Sequence, residues 1–323
     1  MRKMSVSRRI TWKRWIVWAE NIAVVLIIAF AFYTTIPVRT TQTLFIPQGS
    51  INTIISQLAK KGYAVSVIDS FILRAMGSPQ TGWIFIGNNK LNRIDFLHKL
   101  TSSKAMINKV TLIPGETSEI FFGTLAKELK LDPKKLYKYY HEFSPYPEAG
   151  IYADTYYVPY GIKEKHLMHF LVRESEKKYK ALSEKIYGTY NTKQWQKVLV
   201  IASIIQKEAA NQKEMPLVSS VIYNRLKKGM RLQMDGTLNY GKYSHVKVTP
   251  ERIKNDESTF NTYKHKGLPP SPIGSVSLAA IRAAIRPAKT KHLYFMKNTE
   301  GTHNFSDSFR AHRKNVRKAG NKK

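Results

Sequence analysis

The segment VLVIASIIQKEAA, residues 198–210, places a carboxylic acid in line with the apolar stripe of a helix. Ile201, Ile204 and Ile205 have the spacing of one helix face. Glu208 follows on that face, one turn after Ile204. A carboxyl group among apolar side chains is desolvated, so its pKa rises and it can hold a proton near neutral pH. Glu208 is therefore a candidate general acid.

An ordinary helix-end charge is the alternative interpretation of Glu208. Charged side chains at the edge of an apolar stripe usually extend to water, and Lys207 or Arg225 could pair with this one. The surrounding excess of Lys and Arg would also lower the pKa of the carboxyl group, against the effect of burial. The pattern around Glu208 alone leaves both interpretations open.

Two further segments of the last third are rich in polar residues. Residues 218–241 predict a helix that Gly229 ends, followed by an Asp-Gly pair whose Asp235 could serve only a turn. Residues 260–274, FNTYKHKGLPPSPIG, predict a loop that three prolines hold at low conformational entropy. Such a rigid, tyrosine-bearing loop suits a saccharide surface, but it could also be only a long connection.

Several classes of site are excluded by residue type. The chain has no cysteine, which rules out disulfides, thiolate metal sites and a cysteine nucleophile. It lacks the glycine-rich phosphate loops of nucleotide-binding proteins. His303 and His312 lie near each other, but no third ligand has a suitable spacing. The sequence predicts no metal and no cofactor.

The N-terminal region predicts a single transmembrane helix. Basic residues precede an apolar run from Ile16 to Ile36, which Pro37 ends. The run has 21 residues, and about 20 span a bilayer. The basic end should stay cytoplasmic, so the remainder should be exported. A signal peptide cleaved after AFA (residues 29–31) and a buried core helix are the alternatives.

The net charge of +31 predicts an anionic partner. Such a field attracts nucleic acid, anionic lipid or an acidic polymer without distinguishing among them. Export weakens the case for nucleic acid and favours an anionic membrane or an acidic polymer.

Residues 43–66 and 110–132 form a weak internal repeat. TLFIPQGSINTIISQLAKKGYAVS and VTLIPGETSEIFFGTLAKELKLD each predict a strand, a turn and a helix that starts at Ser or Thr. Two small strand–turn–helix modules are expected, although two generic units can also match by coincidence.

Several distinctive blocks follow one another along the chain. The strongest are ASIIQKEA (202–209), SSVIYNRLKKGMRLQMDGTLNYG (219–241), FNTYKHKGLPPSPIG (260–274) and LYFMKNTEGTHNFSDSFRAH (293–312). In this order, they resemble the endolytic murein transglycosylase (YceG-like) family. EAGIYADTY (148–156) resembles the segment before the catalytic domain of that family, and the paired modules resemble its LysM-like region.

The resemblance implies a peptidoglycan lyase. Such lytic transglycosylases cut the β-1,4 bond between N-acetylmuramic acid (MurNAc) and N-acetylglucosamine (GlcNAc) inside glycan strands and leave 1,6-anhydroMurNAc ends. The family's essential acid corresponds to Glu208. Gln206 departs from the glutamate often found there, but it lies on the opposite helix face. One carboxylic acid suffices, because the 6-hydroxyl of the sugar attacks its own anomeric carbon.

The resemblance also suggests substrate contacts. Gln233, Asn261 and Tyr263 are candidates for hydrogen bonds to the sugar, and Tyr240 could stack or donate. If Asp235 instead faces Glu208, the protein could be a hydrolase (a muramidase), since such enzymes use two carboxylates. A non-catalytic wall-binding anchor is a third hypothesis. The candidate substrate-binding residues are Gln233, Asp235, Tyr240, Asn261 and Tyr263.

The predicted fold class is α+β, with one N-terminal transmembrane helix, LysM-like strand–helix modules and a mixed α+β catalytic domain. We expect an inner-membrane protein with a cytoplasmic N-terminus and a periplasmic catalytic domain. The expected partners are peptidoglycan glycan strands, the anionic membrane and peptidoglycan synthases. The predicted segments are a basic N-terminus (1–15), the anchor (16–36), the first module with a connecting strand and helix (37–109), the second module and linker (110–160), and the catalytic domain (161–323).

Overall fold

The computed structural model describes residues 5–320. They form two compact units, one reaching Asn108 and including Pro159–Gly161, the other comprising Lys109–Val158 and the chain from Ile162 onward. The predicted basic flank begins at Arg2 and the predicted basic tail ends at Lys323, so the outermost parts of both lie outside the described residues. The five predicted segments remain a prediction.

Helix α1, Ser5–Thr35, contains the predicted apolar run except its last residue, Ile36. Its segment Arg14–Thr35 has 22 residues and a mean hydropathy of 2.1, and none of it is buried against the rest of the described chain. A core helix would be covered by other elements, which α1 is not. The helix could therefore be a membrane anchor or a signal sequence.

The rest of the first unit contains four short strands and three helices. β2 pairs antiparallel with β3, and β1 pairs antiparallel with β4. Ser50, Ser66 and Asn92 each accept a hydrogen bond from a first-turn amide, which starts α2, α3 and α4. The apolar faces share one core around Leu58 and Phe96. The elements are β1 (Pro37–Arg39), β2 (Thr43–Ile46), α2 (Ile51–Lys60), α3 (Val67–Met76), β3 (Gly82–Phe85), β4 (Lys90–Asn92) and α4 (Arg93–Ser102).

The internal repeat is visible as two similar modules. The second has β5 (Ile107–Thr111), α5 (Ser118–Leu129), α6 (Pro133–Phe143) and β6 (Thr155–Pro159), and β5 pairs with β6. Each module is therefore strand, helix, helix, strand, which adds a second helix and a return strand to the predicted unit. The pairing joins distant residues, so the local pattern did not contain it. The LysM-like character of the modules remains a prediction.

Helix α8, which carries Glu208, is central to the remaining elements. Every residue from Val198 to Ile205 is buried, so this part of α8 is covered all round rather than on the one predicted face. It packs between α9 and α11. The mixed α+β class is confirmed. These elements are α7 (Glu164–Tyr187), α8 (Thr192–Glu208), α9 (Met215–Lys227), α10 (Pro250–Asn255), α11 (Leu278–Ile285), β7 (Tyr294–Lys297), β8 (His303–Ser306) and α12 (Phe309–Gly320).

Candidate active site

Glu208 is the last residue of α8, and its side chain meets the turn that begins at Asp235. The Gly236 N–H donates a hydrogen bond to Glu208 Oε1 at 2.6 Å. A Cβ atom on Gly236 would lie 2.9 Å from both Glu208 Oε1 and Lys207 Cβ. Only glycine permits this approach without displacing a neighbour, so the Asp-Gly pair holds the carboxyl group as well as forming a turn.

The electrostatic environment of Glu208 favours a retained proton. Burial is the largest cause that raises its pKa, and the charge of Asp235 adds to the rise. The Gly236 hydrogen bond and Arg225 oppose it, and the pKa of Glu208 is about 7 as a result. The residue is only partly exposed, so solvent or a substrate can still reach it. Both protonation states are populated near neutral pH, as a group that gives and then takes a proton requires.

Neither cation considered as a partner of Glu208 pairs with it. Lys207 Nζ lies 3.1 Å from Ser244 Oγ, to which it donates a hydrogen bond. Arg225 Nε donates to the carbonyl oxygen of Leu293 at 2.6 Å. Among the described residues, no ion pair includes Glu208. The geometry thus departs from that of a paired helix-end charge.

Two predicted site residues are joined by a hydrogen bond beside Glu208. The Tyr263 hydroxyl donates to Asp235 Oδ1 at 2.6 Å. Burial, together with the bond to Asp235, raises the pKa of Tyr263, so the phenol keeps its proton at neutral pH. Since the charge of Asp235 also acts on Glu208, these three residues form one electrostatic group.

Gln233 lies at the surface in a strained backbone conformation. Its φ of 47° is in the left-handed region, which non-glycine residues rarely adopt. The Gln233 N–H donates to the carbonyl oxygen of Thr262 at 3.2 Å, and the Met234 N–H donates to Thr262 Oγ1 at 3.1 Å. These bonds fasten the segment leading to Asp235 against the segment leading to Tyr263. Such strain persists only where the surrounding structure imposes it.

Asn261 is fully buried, as is the adjacent Thr262. Its side-chain amide donates to the carbonyl oxygens of Ile253 and Asp256 at 2.8 and 2.7 Å. Its Oδ1 accepts a hydrogen bond from the Tyr263 N–H at 3.1 Å. Because the protein itself engages these groups, the structure presents Asn261 as a support for the backbone of Tyr263 rather than as a surface group.

Tyr240 is half-buried at the edge of the same region. Its ring stacks on Phe260, with 4.4 Å between ring centroids. Its hydroxyl donates to Asp256 Oδ2 at 3.3 Å. One face of the Tyr240 ring is therefore already covered by protein.

A polar cluster on the Lys207 side of α8 did not appear in the sequence analysis. Glu148 accepts hydrogen bonds from the N–H and hydroxyl of Ser118 at the start of α5, and burial raises its pKa. Glu116 Oε2 lies 2.7 Å from His245 Nε2. Burial lowers the pKa of Lys207, and the charges of Glu116 and Glu148 oppose that effect. Only the EAGIYADTY block, which contains Glu148, offered a signal in the sequence.

His303 contacts Glu214 through its ring and its backbone. The ring atom Nδ1 of His303 lies 2.7 Å from Glu214 Oε2. The backbone N–H of His303 donates to Glu214 Oε1 at 2.8 Å. Glu214 Oε2 also accepts a hydrogen bond from the N–H of Ala210, two residues after Glu208. Across residues 5–320, no group of three or more histidine and carboxylate side chains could hold a metal.

Gln206 supports a neighbouring helix. Its Oε1 accepts a hydrogen bond at 3.3 Å from the N–H of Ser277, the residue that caps α11. An oxygen acceptor at this position is therefore sufficient for the contact, whether it belongs to an amide or to a carboxylate.

Fold and site together define a mixed α+β protein with a candidate acid–base carboxyl group at the end of a buried helix. The sequence model of the YceG-like family matches residues 44–318, which is most of the chain. The chain therefore belongs to the YceG-like family.

Curated relatives are consistent with this membership. A Bacillus subtilis protein named endolytic murein transglycosylase is 37% identical over 118 residues, which are 36% of this chain and 33% of that protein. A protein of that name from Streptococcus pneumoniae is 33% identical over 172 residues, 51% of this chain and 31% of the relative. These matches span about a third of each relative.

The crystal structure of a YceG-like protein from Listeria monocytogenes has a related fold. It superposes with a TM-score of 0.56 at 24% identity, over 84% of this chain and 97% of that one.

Proposed function

We propose that this chain is a membrane-anchored endolytic lytic transglycosylase of peptidoglycan. It would cleave the β-1,4 bond between MurNAc and GlcNAc within nascent glycan strands and leave 1,6-anhydroMurNAc ends. The observation that carries the proposal is the partly exposed carboxyl group of Glu208, which burial gives a pKa of about 7. Membership in a family whose relatives are named endolytic murein transglycosylases supports the substrate class.

Glu208 performs both proton transfers in the proposed reaction. It first gives its proton to the glycosidic oxygen as the bond from that oxygen to the anomeric carbon of MurNAc breaks. The resulting carboxylate then takes the proton of the 6-hydroxyl while that oxygen bonds to the anomeric carbon. No water is consumed, and Glu208 ends protonated as it began. Attack within one sugar has a large entropic advantage over attack by a separate molecule.

The other predicted residues take supporting roles in this proposal. Gln233, Asp235 and Tyr263 hydrogen-bond the sugar, and Tyr240 offers its uncovered side for stacking. Asn261 acts through its bond to the Tyr263 backbone. The Gly236 N–H, which binds the carboxyl group at 2.6 Å, favours its ionised form after proton donation.

The proposed location is the inner membrane, with the N-terminus cytoplasmic and the catalytic region periplasmic. α1 serves as a retained anchor, and the charge of +31 attracts anionic lipid and the carboxylates of the wall. Tethering keeps the acid near emerging strands, so the proposed role is termination of strand elongation beside the peptidoglycan synthases. The paired modules are LysM-like and bind the glycan.

Product analysis tests the function. The full chain in detergent is incubated with purified uncrosslinked glycan strands, and the products are weighed by mass spectrometry. We expect anhydro-ended internal fragments from the native chain and from Glu128→Gln, an exposed glutamate on α5. Glu208→Gln should release none. Full activity of the Glu208→Gln variant would contradict the mechanism.

A hydrolase is retained as a second candidate because the charge of Asp235 acts on Glu208. Hydrolysis would add water, so the new ends would be reducing sugars heavier than anhydro ends by one water molecule. Asp235→Asn would then abolish cleavage as completely as Glu208→Gln. Binding of the strands without cleavage would instead support a non-catalytic wall anchor.

A further inference from the structure

The outer face of helix α3 is apolar and uncovered. Val67, Ile68 and Phe71 are 71%, 49% and 63% exposed, whereas Ser70 and Leu73 on the other side of the helix are buried. Val67 and Phe71 are one helical turn apart, so their side chains lie on one face. Arg74 lies one further turn along, and its guanidinium is 5.6 Å from the centre of the Phe71 ring.

This face begins where α1 ends. The hydroxyl of Ser66, which caps α3, is 2.7 Å from the hydroxyl of Tyr33 near the end of α1. Arg93 Nη1 donates to the same Tyr33 hydroxyl at 3.1 Å and to Asp69 Oδ2 at 2.7 Å. The Arg93 guanidinium also lies 4.3 Å from the centre of the Tyr33 ring. These contacts fix the start of α3 beside Tyr33.

The length of α1 gives the level of Tyr33 in a bilayer. The helix rises about 27 Å between Trp15 and Tyr33. The hydrocarbon core of a bilayer is of similar thickness, about 30 Å. Tryptophan and tyrosine favour the two membrane interfaces. If Trp15 lies at one interface, Tyr33 lies at the other, and the start of α3 is held at the same level.

We propose that Val67, Ile68 and Phe71 form a second membrane contact, in which α3 rests in the interfacial layer of the anionic bilayer that α1 enters. The face is continuous with α1, and an apolar stripe followed by a cation matches the acyl boundary and the anionic headgroups above it. The first unit is thereby held against the lipid surface at two places. This inference rests on the proposed anchoring by α1.

The absence of cysteine from the chain permits a direct test. Single-cysteine variants of the full chain carry an environment-sensitive fluorophore at Phe71→Cys, at Leu26→Cys on the exposed side of α1, or at Ser78→Cys beyond the other end of α3. Each is placed, one copy per disc, in nanodiscs of phosphatidylethanolamine and phosphatidylglycerol. Quenching is measured with spin-labelled lipid and, separately, with aqueous iodide.

The expected pattern is lipid quenching at Leu26→Cys and Phe71→Cys, and iodide quenching at Ser78→Cys. Lipid quenching at Phe71→Cys should exceed that at Ser78→Cys about twofold or more, since an interfacial apolar face lies about 5–10 Å into the headgroup boundary.

Three other outcomes would overturn the inference. Iodide quenching at Phe71→Cys equal to that at Ser78→Cys, with Leu26→Cys still in lipid, would reject the α3 contact and leave the anchor intact. Protection of Phe71→Cys from both quenchers would mean that protein covers the face. Iodide quenching without lipid quenching at Leu26→Cys would show that α1 is not in the bilayer. The proposed anchoring, on which this inference rests, would then be wrong.

Discussion

At the scale of single residues, Glu208 is both buried and ionisable, and burial makes its ionised form unfavourable in the folded protein. Its carboxyl group is placed where burial raises the pKa to about 7, so ionisation near neutral pH costs the folded state energy that the unfolded chain does not lose. Groups with such shifted pKa values cluster at functional sites, where a proton must be held and released.

The pH dependence of stability should reveal this cost. Below pH 4.5, the ordinary value, the carboxyl group is protonated in both states. Between pH 4.5 and 7 the folded state binds more protons, so the free energy of unfolding falls as pH rises, and the loss is complete above pH 7. Glu208→Gln cannot ionise and should be more stable than the native chain at pH 8, by about 1–2 kcal/mol.

Thermal unfolding at pH 4 and pH 8 measures the difference. The stability advantage of Glu208→Gln should vanish at pH 4, where the native carboxyl is neutral. Glu128→Gln, on an exposed helix surface, provides the control and should show the same small effect at both values. An equal advantage of Glu208→Gln at pH 4 would contradict the raised pKa.

Tyr263 is predicted to act through Asp235. Removing its hydroxyl in Tyr263→Phe leaves Asp235 without the donor now 2.6 Å away and removes a candidate sugar contact. Cleavage of glycan strands should fall about tenfold or more, because a hydrogen bond to a charged group contributes about 1.5–3 kcal/mol. Steady-state kinetics measures the change. Tyr157, on β6, has an exposed side chain, so Tyr157→Phe should keep full activity. An unchanged rate for Tyr263→Phe would reject the role.

At the scale of elements, the site depends on how closely the Asp235 turn approaches α8. Gly236→Ala would set a Cβ 2.9 Å from Glu208 Oε1, and the backbone φ there is outside the left-handed region, so the clash alone is tested. We expect at least about a hundredfold loss of kcat, since small misplacements of reacting groups have effects of that size. Unfolding measurements should show a folded protein.

Gly123→Ala is the matched control for that substitution. Gly123 lies inside α5, where an added Cβ would have no heavy atom within 4 Å. Alanine should stabilise this helix by about 0.5–1 kcal/mol and leave cleavage unchanged. If Gly236→Ala were as active as Gly123→Ala, the close approach would have no part in catalysis.

The predictable elements were those encoded by neighbouring residues. Local capping residues determine where α2 and α5 start, at Ser50 and Thr117, and where α9 ends, before Gly229. These boundaries could therefore be predicted from the sequence. The return strands of the two modules and the burial of α8 on all sides depend on residues far apart in the chain. Local periodicity carries no information about such contacts.

The same distinction explains which site residues were found. Glu208 was marked by its place on an apolar stripe, and the turn at Asp235 by its glycine. The buried position of Asn261 arises from carbonyl groups of Ile253 and Asp256 that only a folded loop brings together. The charge of Glu148 acts on Lys207, which lies more than fifty positions away in the chain, so no spacing rule could have predicted this interaction.

At the scale of the whole molecule, the division into two units predicts separable unfolding. The first unit has its own core, distinct from the two clusters of the second. It also buries an ion pair between Arg93 and Asp69, in which Arg93 Nη1 lies 2.7 Å from Asp69 Oδ2. The two side chains are 6% and 0% exposed. Removing one partner of such a pair leaves a buried charge without compensation, which costs about 3–5 kcal/mol.

Arg93→Met should therefore lower the melting temperature of the first unit by about 10 °C or more, given the entropy of unfolding of a domain of about 100 residues. Differential scanning calorimetry of the full chain in detergent should resolve two transitions, of which only one moves. Asp69→Asn combined with Arg93→Met removes both charges and should recover part of the loss. Arg39→Met, an exposed arginine in the same unit, should change neither transition. Equal displacement of both transitions by Arg93→Met would mean that the units unfold together, because the damage to one core would then be transmitted to the other.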